Sequence, residues 1–290
     1  MNKVAIMTDT ISQMTKELAD AYDIKLAPIT IIIDGKPYPE TEIDLQWYYQ
    51  QIPKWKENGD IPTSSSASIG YFVQAYRELS QRAESILYLC YSSKFGMMFN
   101  TAMQAKEKVK EELPQTDIVV TDTLTVCGAQ MLIAIEAARA AAAGKSLPEI
   151  VEMTNNLVNR VSMISLLDDL SLLAKGGRIH KARPWAGSKV TNTALLEVNA
   201  ATGGQMTPLV RCKTREQALK KLFEIVSERS DGRRLNVAIN HVNALTEAEE
   251  LKGLTLSRFP CAECFITPLY PTVTHHDGLG VVKFSWWAVD

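Results

Sequence analysis

The stretch "KVAIMTDTISQMTKELADAY" (residues 3–22) decides the fold class. Its first part is a short apolar run, Val4 to Met7, closed by Thr8, Asp9 and Thr10. Its second part, from Ser12 to Tyr22, places apolar residues at helical spacing. A strand that hands over to a helix is the repeating unit of a parallel sheet covered by helices. More such units follow. "IKLAPITIII" (24–33) is β-branched and runs into the turn signal Asp34-Gly35, and "DLQWYYQQIPKW" (44–55) reads as a helix interrupted by Pro53. After the hydroxyl-rich "IPTSSSAS" (61–68) come a helix through "YFVQAYRELSQ", the strand "SILYLCY", the segment "SSKFGMMFN", a helix through "AMQAKEKVKEEL" and the strand "DIVVTDT".

Two of these strands end in Thr-Asp-Thr, at 8–10 and 121–123. Such residues at the carboxyl end of a strand either shape the crevice where parallel sheets bind ligands or cap the next turn, and both readings stand. In "AAAGKSLPEI" (141–150), Gly144 reads as a helix stop, Ser146 as an N-cap and Pro148 as an early helical residue, which marks a first-domain boundary. "GKS" is no phosphate loop, because Arg139 stands five positions before Gly144 where that motif needs glycine.

The second half is less regular. "VSMISLL" is strand-like, "DLSLLAK" is a short helix capped by Asp168 or Asp169 and ended by Gly176-Gly177, and "ALLEVN" and "QMTPLVR" form a hairpin about Thr202-Gly203-Gly204. Helices through "REQALKKLFEIVSER" and "EAEELKGL" alternate with the strands "LNVAIN", "CFITPLY" and "VVKFSWW". This pattern predicts a smaller two-layer unit.

Composition narrows the function classes. The chain has 290 residues, 46% hydrophobic and 22% charged, with 31 basic against 33 acidic side chains, so no excess positive charge favours nucleic acid. Val4 to Met7 is too short for a signal peptide's apolar region, and no run approaches the roughly 20 apolar residues that span a bilayer. Five scattered cysteines, 90, 127, 212, 261 and 264, suit a reducing compartment, so a cytoplasmic location is expected. "CAEC" lacks the second pair a zinc site needs and runs on as a strand, and the histidines at 180, 241, 275 and 276 form no helical ligand pair. No metal or cofactor is expected.

Three polar sets stand at element ends: Thr63 with Ser64, Ser92 with Ser93, and His276 in "HHDGLG" (275–280). On neighbouring loops of a parallel sheet, the hydroxyls and the N–H groups of the following helices would face one crevice and suit an anionic oxygen. A serine nucleophile with His276, acting on a small ester or phosphorylated metabolite, is the alternative; the chain has no Gly-x-Ser-x-Gly elbow. Each serine cluster alone also fits a capped loop.

In order and spacing, "VAIMTDT", "LAPITIIIDGKPY", "IPTSSSASIGYF", "YSSKFGMMFNTA", "LLDDLSLLAKGGRIHKA", "VRCKTREQAL" and "HHDGLG" resemble the DegV family of bacterial fatty-acid-binding proteins over nearly the whole chain. The resemblance implies an α/β protein of two domains: a three-layer parallel-sheet domain at 1–150 and a two-layer mixed-sheet domain at 151–290. It implies one long-chain fatty acid with its tail buried and its carboxylate at the domain junction. The chain would be no enzyme but a carrier, presenting the lipid to a separate ATP-dependent fatty acid kinase subunit that makes the acyl phosphate. Peripheral, transient membrane contact would serve lipid loading.

By motif position, Thr63, Ser64, Ser93 and His276 are expected at the carboxylate, Phe95, Met97, Met98 and Arg178 at the tunnel or its gate, and Arg211 on the partner-facing surface. The sequence departs from the family where Ser66-Ala67 replaces Gln-Pro, where "FGMM" replaces Leu-Ser-Gly-Thr, and where Gly-Leu-Gly replaces Gly-Pro-Gly. Met97 and Met98 therefore either wall an apolar tunnel retuned for another acyl chain or fill core.

Overall fold

A computed structural model describes residues 4–186 and 193–289. The opening strand β1 (Val4–Asp9) is buried along its whole length, as a strand covered on both faces must be. After α1 (Lys16–Ala21), capped by Thr15, the chain returns in β2 (Ile24–Ala27), parallel to β1. The run that reads as one β-branched strand then divides at Pro28, because proline has no N–H to continue a ladder. Its second part, β3 (Thr30–Ile33), leaves the parallel sheet and pairs antiparallel with β4 (Lys36–Pro39) and, on its other side, with β5 (Thr63–Ser65).

Between them, α2 (Leu45–Asn58) runs unbroken through Pro53, where the sequence predicts an interruption. Tyr48, Tyr49 and Ile52 are its buried residues, and the Tyr49 hydroxyl donates to the Leu269 carbonyl at 2.8 Å, so tertiary contacts hold the helix. Next come α3 (Ile69–Ser80), β6 (Ser85–Cys90), α4 (Met98–Val109) and β7 (Asp117–Asp122), giving a four-stranded parallel sheet in the order β2-β1-β6-β7. The chain leaves β1 toward β2 on one side and resumes at β6 on the other. The switch point lies between β1 and β6, where open parallel sheets form a crevice at the carboxyl ends of the strands.

The helix α5 (Cys127–Ala142) is buried almost all round and packs against β1 as well as against three strands of the second half. Gly128 makes that approach feasible, since a Cβ there would lie 2.8 Å from Ala238 Cβ. The expected stop and restart follow: Gly144 has φ +80°, and Ser146 with Glu149 forms a capping box that opens α6 (Leu147–Val158).

The second half builds a six-stranded mixed sheet from β8 (Ser162–Leu167), β9 (Thr193–Val198), β10 (Thr207–Cys212), β11 (Leu235–His241), β12 (Cys261–Pro268) and β13 (Val282–Ala288), in the order β10-β9-β8-β13-β11-β12. Only β11 and β12 pair parallel. The sheet is joined by α7 (Ser171–Gly176), α8 (Arg183–Ala186), α9 (Arg215–Ser230), α10 (Leu245–Arg258) and α11 (Pro271–Asp277). The sequence does not predict α11, a seven-residue helix that carries both histidines of "HHDGLG". Cys261 and Cys264 both lie on β12 as free thiols.

Polar contacts stitch the two sheets together. The Ser92 hydroxyl donates to the Gly204 carbonyl at 2.7 Å, Gly128 N–H donates to Asn240 Oδ1 at 2.9 Å, and Thr272 N–H donates to Glu40 Oε2 at 3.0 Å. Each joins an element of the parallel-sheet half to one of the mixed-sheet half. One hydrophobic core runs from Val4 through Leu172 to Val281, crossing this seam.

Candidate functional site

At the switch point the seam opens into a cavity of about 530 Å3, within the roughly 300–1,000 Å3 range of small-molecule sites. Ile11 follows β1 into it and Tyr91 follows β6. β5 and the approach to α3 contribute Ser64 to Ile69, the start of α4 contributes Phe95, Gly96, Met97 and Thr101, and the start of α5 contributes Val126 and Cys127. Three helices of 12, 12 and 16 residues thus direct their N-terminal ends at one space, each with the partial positive charge of its unpaired N–H groups. Ser68 caps α3 by accepting from Tyr71 N–H at 3.1 Å, whereas α4 and α5 have no capping side chain of their own.

The mixed-sheet half supplies Leu173, Arg178, Met206, Thr272, Val273, His276, Asp277 and Lys283. The Gly176-Gly177 pair works by two mechanisms. A Cβ on Gly176 would lie 2.3 Å from His276 Nδ1, so the first glycine lets the imidazole approach the backbone. Gly177 has φ +71° and ends α7 in the left-handed region. Arg178 then folds back, its guanidinium donating to the Gly176 carbonyl at 2.6 Å. Asp169, as expected, caps α7 by accepting from Ser171 N–H at 2.7 Å.

His275 and His276 lie with ring centroids 4.1 Å apart and Nε2 atoms at 3.1 Å. Burial pushes His275 down to about 4 and is also the first cause holding His276 well below the ordinary imidazole range; the neighbouring His275, Arg178 and Lys283 add to the latter. Both rings are therefore neutral at physiological pH. His276 is only half-buried because its open side is the cavity. Opposite them, Asp9 is buried beneath the β1–β6 rim and is pushed up to about 7 by desolvation, against hydrogen bonds from Gln130, Tyr91, Tyr88 and Ile11. Cys127 is likewise pushed up to about 12 by burial, so its thiol is not a ready nucleophile.

The expected site residues distribute as follows. Ser64, Phe95, Met97, Arg178 and His276 all line the cavity, with Met97 exposed at its rim. Thr63 is an exposed residue of β5 opposite Ile32, and Ser93 is half-buried with its backbone N–H on Asp122 at 3.2 Å; neither is a wall residue. Met98 differs from the tunnel expectation: with Ala102, Ala105 and Val109 it forms the buried stripe of α4 and fills core. Arg211 sits on β10, half-buried, stacked 5.2 Å over the Trp185 ring and donating to the Trp185 carbonyl at 2.7 Å.

The two Thr-Asp-Thr segments serve as turn caps, Asp9 accepting from Ile11 N–H and Asp122 from Leu124 N–H. Sequence reading missed Asp277 and Lys283, whose only sign is a charge set beside or inside an apolar run. Among the described residues, no serine hydroxyl or carboxylate hydrogen-bonds to His276, and no three His, Cys, Asp or Glu side chains gather as a metal site. No helix among them is long and apolar enough to cross a membrane.

Fold and site together define an α/β protein that joins a parallel to a mixed sheet around one cavity, part apolar and part ringed by donors. The sequence profile described as "Uncharacterised protein, DegV family" matches residues 3–288, and the chain belongs to the DegV family. A DegV domain-containing protein of Streptococcus pyogenes serotype M1 is 28% identical over 273 residues, covering 94% of each chain. Among solved structures, a DegV family protein from Thermus thermophilus, described by its fatty acid binding, superposes with a TM-score of 0.90 at 20% identity over 99% of this chain and 100% of that one. DegV of Bacillus subtilis, described as a fatty acid binding protein, does so at 0.86 and 23% identity, over 99% of each.

Proposed function

We propose that the cavity holds one long-chain fatty acid. The observation that carries this reading is a cavity whose wall combines apolar side chains, Ile11, Ile29, Phe95, Leu173, Met206 and Val273, with hydroxyls, three helix starts and His276. A carboxylate taken from water without partners is costly, and small hydroxyls meet it without filling space. The tail contributes about 0.8 kcal/mol for each methylene buried, less the cost of ordering it. The solved relatives described as fatty-acid-binding support the same reading.

In this proposal Ser64 and His276 face the carboxylate directly, Thr63 and Ser93 stand in the two loops that frame it, and Arg178 and Met97 form the gate. The chain divides into domains at 1–150 and 151–290, with the ligand at their seam; the parallel strands precede that boundary and the mixed-sheet strands follow it. The protein acts as a cytoplasmic carrier without catalytic residues of its own, loads by transient membrane contact, and presents its lipid to a separate ATP-dependent kinase subunit that forms the acyl phosphate. Arg211 marks the partner-facing edge.

Native mass spectrometry of the purified protein, followed by organic extraction, tests this. One fatty acid per chain is expected. An empty protein that also rejects added fatty acids would overturn the reading in favour of a small-molecule enzyme.

A further inference from the structure

We propose that the buried ion pair of Lys283 and Asp277 belongs to the head-group site, with Lys283 supplying the positive charge that makes the cavity prefer an acid over a neutral amphiphile. This inference rests on the fatty-acid reading above.

Three charged side chains line the cavity among the described residues: Arg178, Asp277 and Lys283. Arg178 is half-buried and turned onto the Gly176 carbonyl. The other two are almost wholly removed from solvent, at 2% and 3% side-chain exposure, with Lys283 Nζ 2.6 Å from Asp277 Oδ2. The contact joins an ammonium and a carboxylate that are both buried at the cavity wall. Lys283 donates a second N–H to Ser165 Oγ at 3.1 Å. An ammonium has three donors. Ser165 and Asp277 engage two of them, and Lys283 itself forms part of the cavity wall.

A pair with only a structural duty would be a poor solution here, because apolar side chains of similar volume usually do as well as a buried ion pair. The pair makes sense beside a ligand charge. Burial by itself would lower the Lys283 pKa, and the Asp277 carboxylate outweighs it and raises it, so the lysine stays charged when the cavity is empty. His276, with the neutral His275 ring tilted behind it, brings a donor but no charge to the same wall. Asp277 therefore keeps the ammonium charged and in place until an anionic oxygen arrives.

The test is competition binding with palmitic acid and with hexadecanol, which share a tail and differ in charge. The wild-type protein is expected to prefer the acid by at least about tenfold, the scale of one charge-assisted hydrogen bond. The double variant Lys283→Met/Asp277→Leu, which removes both charges together, should bind the alcohol as the wild type does and lose the acid preference. Asp277→Asn, which removes the carboxylate that keeps the buried lysine protonated, should lower the preference for the acid toward that of the double variant. If the double variant keeps the wild-type preference, or if either variant weakens acid and alcohol in equal measure, the pair is structural and the inference fails. If the wild type binds neither compound, the fatty-acid reading itself fails.

Discussion

On the side contributed by the parallel-sheet half, the cavity meets hydroxyls and the backbone N–H groups of three helix starts. On the side contributed by the mixed-sheet half, it meets Arg178, His276, Asp277 and Lys283. The first side offers partial charges that are fixed by the fold and indifferent to pH; the second offers full charges and rings whose protonation depends on burial. In the proposed function, one side would position the amphiphile and the other would discriminate its charge. The two sides should also fail differently. Loss of a hydroxyl exposes an N–H that water or ligand can satisfy, whereas loss of one charge strands its partner in the core.

The largest expected effect follows from that asymmetry. Asp277→Leu leaves Lys283 buried without its counter-charge and should cost about 3–5 kcal/mol of stability. The paired replacement Lys283→Met/Asp277→Leu should recover most of it, since neither charge remains to be desolvated. Urea denaturation of both variants beside the wild type measures the difference. A double variant no more stable than the single one would show that the charged side owes its stability to packing, and the contrast between the two sides would lose its basis.

A second test sets the two sides against each other through pH. Asp9, behind the parallel-sheet rim, has its folded pKa raised from 3.8 to about 7 by burial. Between those values the folded state holds a proton that the unfolded state has released, so this group's contribution falls as pH rises. His275 has its folded pKa lowered from 6.5 to about 4, again by burial first. Between those values the unfolded state holds the extra proton, and this contribution rises with pH. From pH 4 to 6.5 the two oppose. Asp9→Asn, which copies the protonated acid, should make the slope of stability with pH over that window more positive, and His275→Gln should make it less positive. Denaturant midpoints across the window measure both slopes; variants that leave the wild-type slope unchanged would show that these burials do not control titration.

How far the sequence reveals this division depends on the kind of signal each side leaves. The parallel half is legible because a short continuous apolar run, β1, is followed by apolar residues at helical spacing, and because a cluster such as "PTSSSAS" has few uses other than capping and anion contact. Even there, the passage from β2 to β3 is hidden, since β-branched residues stand on both sides of Pro28 and nothing local says that the second strand joins another sheet. Met98 reads as a tunnel residue from its neighbours, yet the stripe it shares with Ala102, Ala105 and Val109 turns it into core. The charged side is scarcely legible. Lys283 in "VVKFSWW" looks like the outward residue of an ordinary strand, and only the position of β13, between β8 and β11, shows that no solvent face exists there. Long-range order of strands, which periodicity does not encode, separates a solvated lysine from a buried one.

The smallest effect belongs to the hydroxyl side and completes the contrast. Ser68→Ala removes the oxygen that accepts from Tyr71 N–H at the start of α3, a change that costs about 1 kcal/mol at a helix N-cap. Ser68 also lines the cavity, so the N–H freed at the start of α3 lies beside the cavity wall. In the empty protein urea denaturation should therefore show the loss of about 1 kcal/mol. With a saturating fatty acid the loss should shrink, because the carboxylate takes over the acceptor's place at the helix start. A loss that is the same with and without ligand would place the head group away from α3 and leave the charged side to hold it alone.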